Sequence, residues 1–185
     1  MVPYDADQVS LPRLGGKPVP LETVLDGAAA ELVRNFEQRI LRPEETEQTA
    51  RCYTDVVLRR SRARYLGFLK QLADRNLLVL TRLKKGGDTP FFVSKKAGKQ
   101  RLVLDCHASN ELFFAAPYTE IASAESFASI EVEKHDLLYI AAADVEACFY
   151  QVAIPPAFSR YFCLKCVSTD EARLTGLDRC DGGPF

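Results

Sequence analysis

The sequence has no tryptophan, one methionine and two histidines, and no apolar run of membrane length. A membrane-crossing helix needs roughly 20 consecutive apolar residues, so none is expected. The opening MVPYDADQVSLPRLGGKPVPLE lacks a basic start followed by an apolar block, so no secretory leader is expected either. Six cysteines without such a leader point to reduced thiols in an intracellular protein, not to a disulfide framework. Gly-x-x-x-x-Gly-Lys, Gly-x-Ser-x-Gly and His-Glu-x-x-His are all absent. Their absence removes P-loop phosphate sites, the nucleophile elbow of α/β-hydrolases and helical zinc-protease sites. One Cys-x-x-Cys is present, Cys163 to Cys166, with no second pair after it and with His107 and His135 distant in sequence. In a strand its two thiols would point to opposite faces, which argues against zinc or redox use.

A near-neutral net charge of −1 hides a strong asymmetry. Residues 51–105 carry 14 Lys and Arg against 4 Asp and Glu, whereas residues 106–185 carry 5 against 12. One surface is thereby expected to attract polyanions and another to collect cations, unless the charges only solvate helix faces.

Periodicity divides the chain further. Residues 1–21, rich in Pro and Gly, read as an extended or partly disordered arm. Leu32, Val33, Phe36 and Ile40 share a helical face that Pro43 ends. SRARYLGFLKQLADRN predicts a second helix, capped by Ser61 and closed by Asn76, with Tyr65, Leu69, Leu72 and Ala73 inward. Arg60, Arg62 and Arg64 fall in its first turn, where the helix dipole disfavours cations, so either they serve something outside the helix or they are simply exposed. Strands are expected at residues 77–83, at FFVSKK and KQRLVLD around a tight Ala-Gly turn, at 137–145, and at 160–166 as an antiparallel partner of 137–145. A short helix is expected near SAESFASIE.

The hairpin carries Lys95, Lys96, Lys99 and Arg101. Such a tip either touches phosphates or guards an edge strand against aggregation. The run 137–145 raises a second question, because it nears its end on the carboxylate Asp144, and a core strand avoids an unpaired charge. Asp144 either anchors a cation or accepts hydrogen bonds from the turn after it. Phe149 and Tyr150, which follow, read as core packing on their own.

Together, Lys-x-Gly-Lys-x-Arg-Leu-Val-x-Asp over 96–105 with Asn110, and Ala-Asp-Val-x-x-Cys-Phe-Tyr-Gln-Val-x-Ile-Pro over 143–155 followed by Ser-Arg-Tyr-Phe, resemble the fingers and first palm motif of retroelement reverse transcriptases. The resemblance implies an α+β fold with reverse-transcriptase-like fingers and an incomplete palm, a partial antiparallel sheet with helices. It implies an N-terminal arm and helix over 1–50, a basic fingers subdomain with the hairpin over 51–118, and a truncated palm over 119–185. It implies template-directed DNA synthesis by two-metal nucleotidyl transfer on an RNA template and DNA primer, with Mg²⁺ or Mn²⁺ as cofactor and a deoxynucleotide triphosphate as substrate. Asp144 is then the catalytic carboxylate and metal ligand, with the Val145 carbonyl as a further ligand. Lys95 and Arg101 clamp the triphosphate, and the turn from Val145 cradles it. Phe149 lies under the sugar and excludes a 2′-hydroxyl. Asp105 and Asn110 satisfy backbone groups where fingers meet palm.

The sequence departs from the pattern at Ala147, often acidic in the family, and at His107, often Arg. It contains neither the Pro-and-Gly template grip nor an aromatic-x-Asp-Asp turn, and Asp178 and Asp181 stand in another context. The chain alone is therefore expected not to polymerise. The alternative is a non-catalytic nucleic-acid-binding or interaction remnant of such an element. Either way, an exposed edge and apolar surface are expected near 137–166.

Overall fold

The computed structural model describes residues 1–43, 50–116, 118, 122–133, 135 and 137–177, and these form an α+β arrangement of short helices and two-stranded sheets. The elements begin with β1 (Val19–Pro20), α1 (Leu21–Val24), α2 (Gly27–Arg34), α3 (Phe36–Arg39), α4 (Val56–Arg60) and α5 (Arg62–Ala73). Then come β2 (Thr89–Ser94), β3 (Gln100–Asp105), α6 (His107–Asn110) and α7 (Ala124–Ala128). Last are β4 (Val152–Ala153), α8 (Pro156–Ser159) and α9 (Thr169–Thr175). The chain divides into two units, Met1–Phe114 with Ala147–Phe185, and Ala115–Glu146. Asp178 and Asp181 lie outside the described residues.

In the first unit α5 is the spine. Ser61 caps it by accepting the Arg64 N–H, and Asn76, at φ 58°, turns the chain away after its end. Tyr65, Phe68, Leu69, Leu72 and Ala73 are buried, as their spacing requires, against Tyr4, Leu58, Phe92, Ala172 and Leu177. The helix breaks at Ser61, so Arg59 and Arg60 end α4, where cations suit the dipole. Arg62 finds a partner outside the helix. Its Nε and Nη2 donate to Glu171 at 2.6 and 2.5 Å, and Nη2 also donates to the Cys166 carbonyl. That fork docks α9 on α5. The Arg62 guanidinium, helped by the Ser168 N–H, holds the Glu171 carboxyl down at about 2.

The N-terminal arm docks on the hairpin and on α4, which its composition does not announce. Val2 N–H donates to the Phe92 carbonyl, the Tyr4 ring is buried, and Ser10 N–H donates to the Gln100 carbonyl. Two side chains hold this segment. Asp55 accepts the Tyr4 N–H at 3.1 Å while capping α4 through the Val57 and Leu58 N–H groups. Gln100 donates to the Pro3 carbonyl at 2.8 Å and accepts the Asp5 N–H at 3.1 Å. Proline and glycine in the arm suppress regular structure without preventing it from docking. Asp55→Ala strands three buried or half-buried N–H groups and is expected to cost about 2–3 kcal/mol. Urea denaturation reads this directly, and a loss below about 0.5 kcal/mol would contradict the clamp.

Three expected strands are absent among the described residues. Residues 77–83 run irregularly, with Leu77, Leu78 and Leu80 resting on the α5 core. Residues 160–166 form a turn and bends, not an antiparallel partner of 137–145. Their carbonyls serve another segment: Arg160 accepts from the Lys85 and Gly86 N–H groups, and Cys163 from the Asp88 N–H. Above that segment sits a second, aromatic core of Phe36, Phe113 and Tyr161, with Phe158 and Phe162 at its margin. Without a strand there, the opposite-face argument against Cys163 and Cys166 no longer applies, although no metal-ligating cluster forms among the described residues.

Every described residue of the second unit is exposed. The expected short helix is present as α7, capped reciprocally by Ser123 and Ser126. The run 137–145 is not a strand, and no backbone hydrogen bond engages it among the described residues. Leu137, Leu138, Tyr139 and Ile140 face solvent. A run apolar on both faces pairs stably only where neighbours cover both sides, and here it has no paired strand among the described residues.

Candidate nucleic-acid interface on the basic hairpin

β2 and β3 pair antiparallel from Thr89↔Asp105 to Ser94↔Gln100. Alternation puts Phe92 wholly inside, edge-on to Phe68 at 5.8 Å and beside Tyr4 at 5.0 Å. Phe91 lies on the other face, edge-on to Tyr53. The tip turns through Ala97 and Gly98, both left-handed at φ 59° and 68°, as the tightest hairpin turns require. The Lys95 N–H closes the tip onto the Lys99 carbonyl at 2.7 Å.

Lys95, Lys96, Lys99 and Arg101 are all exposed, and none pairs with a described carboxylate. Arg101 lies opposite Val93, and its charge reaches the Tyr150 hydroxyl. Burial pushes the Tyr150 hydroxyl up, and the Arg101 charge pulls it part of the way back. The turn carrying Tyr150 is joined to the unit by β4, which pairs parallel with β1 through Val19↔Val152 and Pro20↔Ala153. Ala147, at φ 53°, and the tight turn Cys148–Tyr150 send the two rings apart. Tyr150 goes half under, and Phe149 stands 97% exposed.

The first unit thus holds Lys95, Arg101 and Phe149. Asp144 and Val145 belong to the second unit, both exposed, and the Asp144 carboxylate has no hydrogen-bond or ion partner among the described residues. The alternative role for Asp144, accepting N–H groups of the following turn, is therefore not taken up there. No three His, Cys, Asp or Glu side chains gather as a metal site among the described residues. Waters and phosphates complete the shell of such ions, but two ions at close range need a set of anchoring carboxylates, so Asp144 with the Val145 carbonyl alone does not fit a two-ion centre.

At the foot of the hairpin Asp105 satisfies backbone groups, accepting the Tyr53 N–H at 2.7 Å and the His107 N–H at 3.3 Å. Its contact with the His107 ring holds the Asp105 carboxyl below its usual range and raises His107. Sequence reasoning missed Gln100 and Asp55, which fasten the arm across the hairpin. Gln100 sits at an unspecified position of the motif, between Lys99 and Arg101, and its only signal was a polar residue where strand alternation points inward.

Searches against family models, curated proteins and solved structures give no match to this chain. Among the described residues no helix is long and apolar enough to cross a membrane.

Proposed function

We propose that this chain is a nucleic-acid-binding, reverse-transcriptase-like fingers and first palm motif that binds an RNA template and DNA primer without synthesising DNA by itself. The carrying observation is the hairpin tip: four exposed cations, none neutralised by a described carboxylate, on a strand pair fixed by buried Phe92 and Gln100. An edge strand protected only against aggregation does not need a rigid mount for its charges. In this reading Lys95 and Arg101 take triphosphate or backbone phosphate, Arg101 as a fork and Lys95 as a point charge. Phe149, fully presented, meets a sugar or base. Asp144 is the one metal-binding carboxylate of the motif, and the reading assigns no chemistry to it without partner carboxylates.

The second reading is a non-catalytic binding or interaction remnant. It is favoured by the unpartnered run 137–145 and by the lack of a metal-ligating cluster among the described residues.

Binding of the full chain to an RNA–DNA duplex over a salt series tests the shared part. The logarithm of affinity is expected to fall linearly with the logarithm of salt, by about 0.9 for each phosphate neutralised on a duplex. Absent or salt-insensitive binding would sink the first reading and leave only an interaction remnant of the second. Primer extension with Mg²⁺ or Mn²⁺ is expected to yield no product. Robust synthesis lost in Asp144→Ala would overturn the claim of catalytic incompleteness.

A further inference from the structure

Asp88, just before β2, is 2% exposed, and its Oδ2 has no hydrogen-bond partner among the described residues. Its Oδ1 lies 2.5 Å from the Ser109 Oγ, and the same Oγ lies 2.6 Å from the Tyr161 carbonyl oxygen. A serine hydroxyl has one proton to donate. A carbonyl oxygen can only accept, so that proton belongs to the contact with Tyr161. The contact between Oδ1 and Oγ then needs a proton from the other side. An ionised carboxylate has none to give, whereas a carboxylic acid does. The bare Oδ2 agrees, because an unpaired buried carbonyl oxygen costs far less than an unpaired buried carboxylate oxygen.

We propose that Asp88 stands in the folded protein as a neutral carboxylic acid donating to Ser109, forming a proton-held joint that ties the base of the hairpin to α6 and to the 160–163 segment. The Asp88 N–H to Cys163 and the Lys85 and Gly86 N–H groups to Arg160 complete the same joint. Four other groups face the carboxyl. Lys84, from the preceding loop, favours ionisation; Asp105, from the end of β3, opposes it. The Cys106 thiol, which donates to the Leu104 carbonyl, also lowers the carboxyl, while burial and Asp88 push that thiol up to about 12. The Cys163 thiol, itself raised chiefly by burial, is the fourth. Burial is the largest influence on Asp88 and raises it. A raised acid binds its proton more tightly folded than unfolded. The joint is therefore strongest at low pH and weakens as pH rises from the unfolded aspartate value through the folded one.

Asparagine imitates the neutral acid permanently, since its amide can donate to the Ser109 Oγ at any pH. Two measurements on the full chain test the proposal. In a carbon-detected NMR titration, assigned through backbone connectivities, the Asp88 carboxyl is expected to ionise above the exposed aspartates. Ionisation with them or below them overturns the proposal. In thermal melting over a pH series, the wild type is expected to lose stability through the Asp88 titration, and Asp88→Asn is expected to lack that loss. An Asn variant that keeps the same pH-dependent loss, or that fails to fold, also overturns it.

Discussion

Replacing Gly86 with alanine is expected to destabilise the protein by about 3 kcal/mol or more, a large share of the roughly 5–15 kcal/mol that holds a native domain together. The cause is close approach and not backbone conformation. A Cβ at residue 86 would lie 1.9 Å from the Tyr161 carbonyl oxygen, 2.8 Å from its carbon and 2.9 Å from the Ser109 Oγ. Two of those atoms are backbone and cannot swing aside. Moving them breaks the hydrogen bonds from Lys85, Gly86 and Asp88 to Arg160 and Cys163. The internal control is Gly67, in the middle of α5, where a Cβ meets nothing within 4 Å. Gly67→Ala is expected to stabilise by about 1 kcal/mol, from helix propensity alone. Denaturant unfolding of both variants should give opposite signs. Equal small effects would show that the 84–88 loop does not press on Tyr161.

Phe92→Ala is the other large effect, expected at about 3–5 kcal/mol. The ring has no solvent exposure and touches both Phe68 of α5 and Tyr4 of the arm. Its loss opens a cavity where hairpin, helix and arm meet, so the arm should also become accessible to protease. The hairpin cations depend on this mount, because Phe92 lies on β2, which leads directly into Lys95 three residues later. Loss of duplex binding in step with loss of stability is expected. Near-native stability would mean that the hairpin is held by its turn and by Gln100 alone.

Local signals survived folding well, and long-range ones did not. Ser61 and Asn76 bracket α5 as their chemistry dictates, and the Ala-Gly turn with its flanking strands forms the hairpin expected. Both rest on neighbours in sequence. The docking of the arm was not legible because it comes from Asp55 and Gln100, residues 51 and 97 positions away from the groups they hold. Residues 160–166 carry a strand-like composition, yet their carbonyls are satisfied by Lys85, Gly86 and Asp88, a pairing no local pattern announces. The run 137–145 shows the same limit from the other side. Its β-prone side chains cannot supply the neighbouring strand that their pattern requires. Of the candidate site, the placement of Lys95 and Arg101 on one exposed hairpin was legible from alternation and turn chemistry. The outward turn of Phe149 and the inward turn of Tyr150 depend on the left-handed Ala147, which a non-glycine residue rarely signals.

The central claim is that the hairpin cations contact phosphate, and salt-dependent duplex binding of a Lys95→Gln, Lys96→Gln, Lys99→Gln, Arg101→Gln variant tests it most directly. These side chains are exposed, so melting should stay close to wild type. The salt slope should shrink by about 0.9 for each contact removed, up to about 3.6 if all four touch phosphate. An unchanged slope and affinity in a folded variant would contradict the account and place any binding elsewhere on the protein.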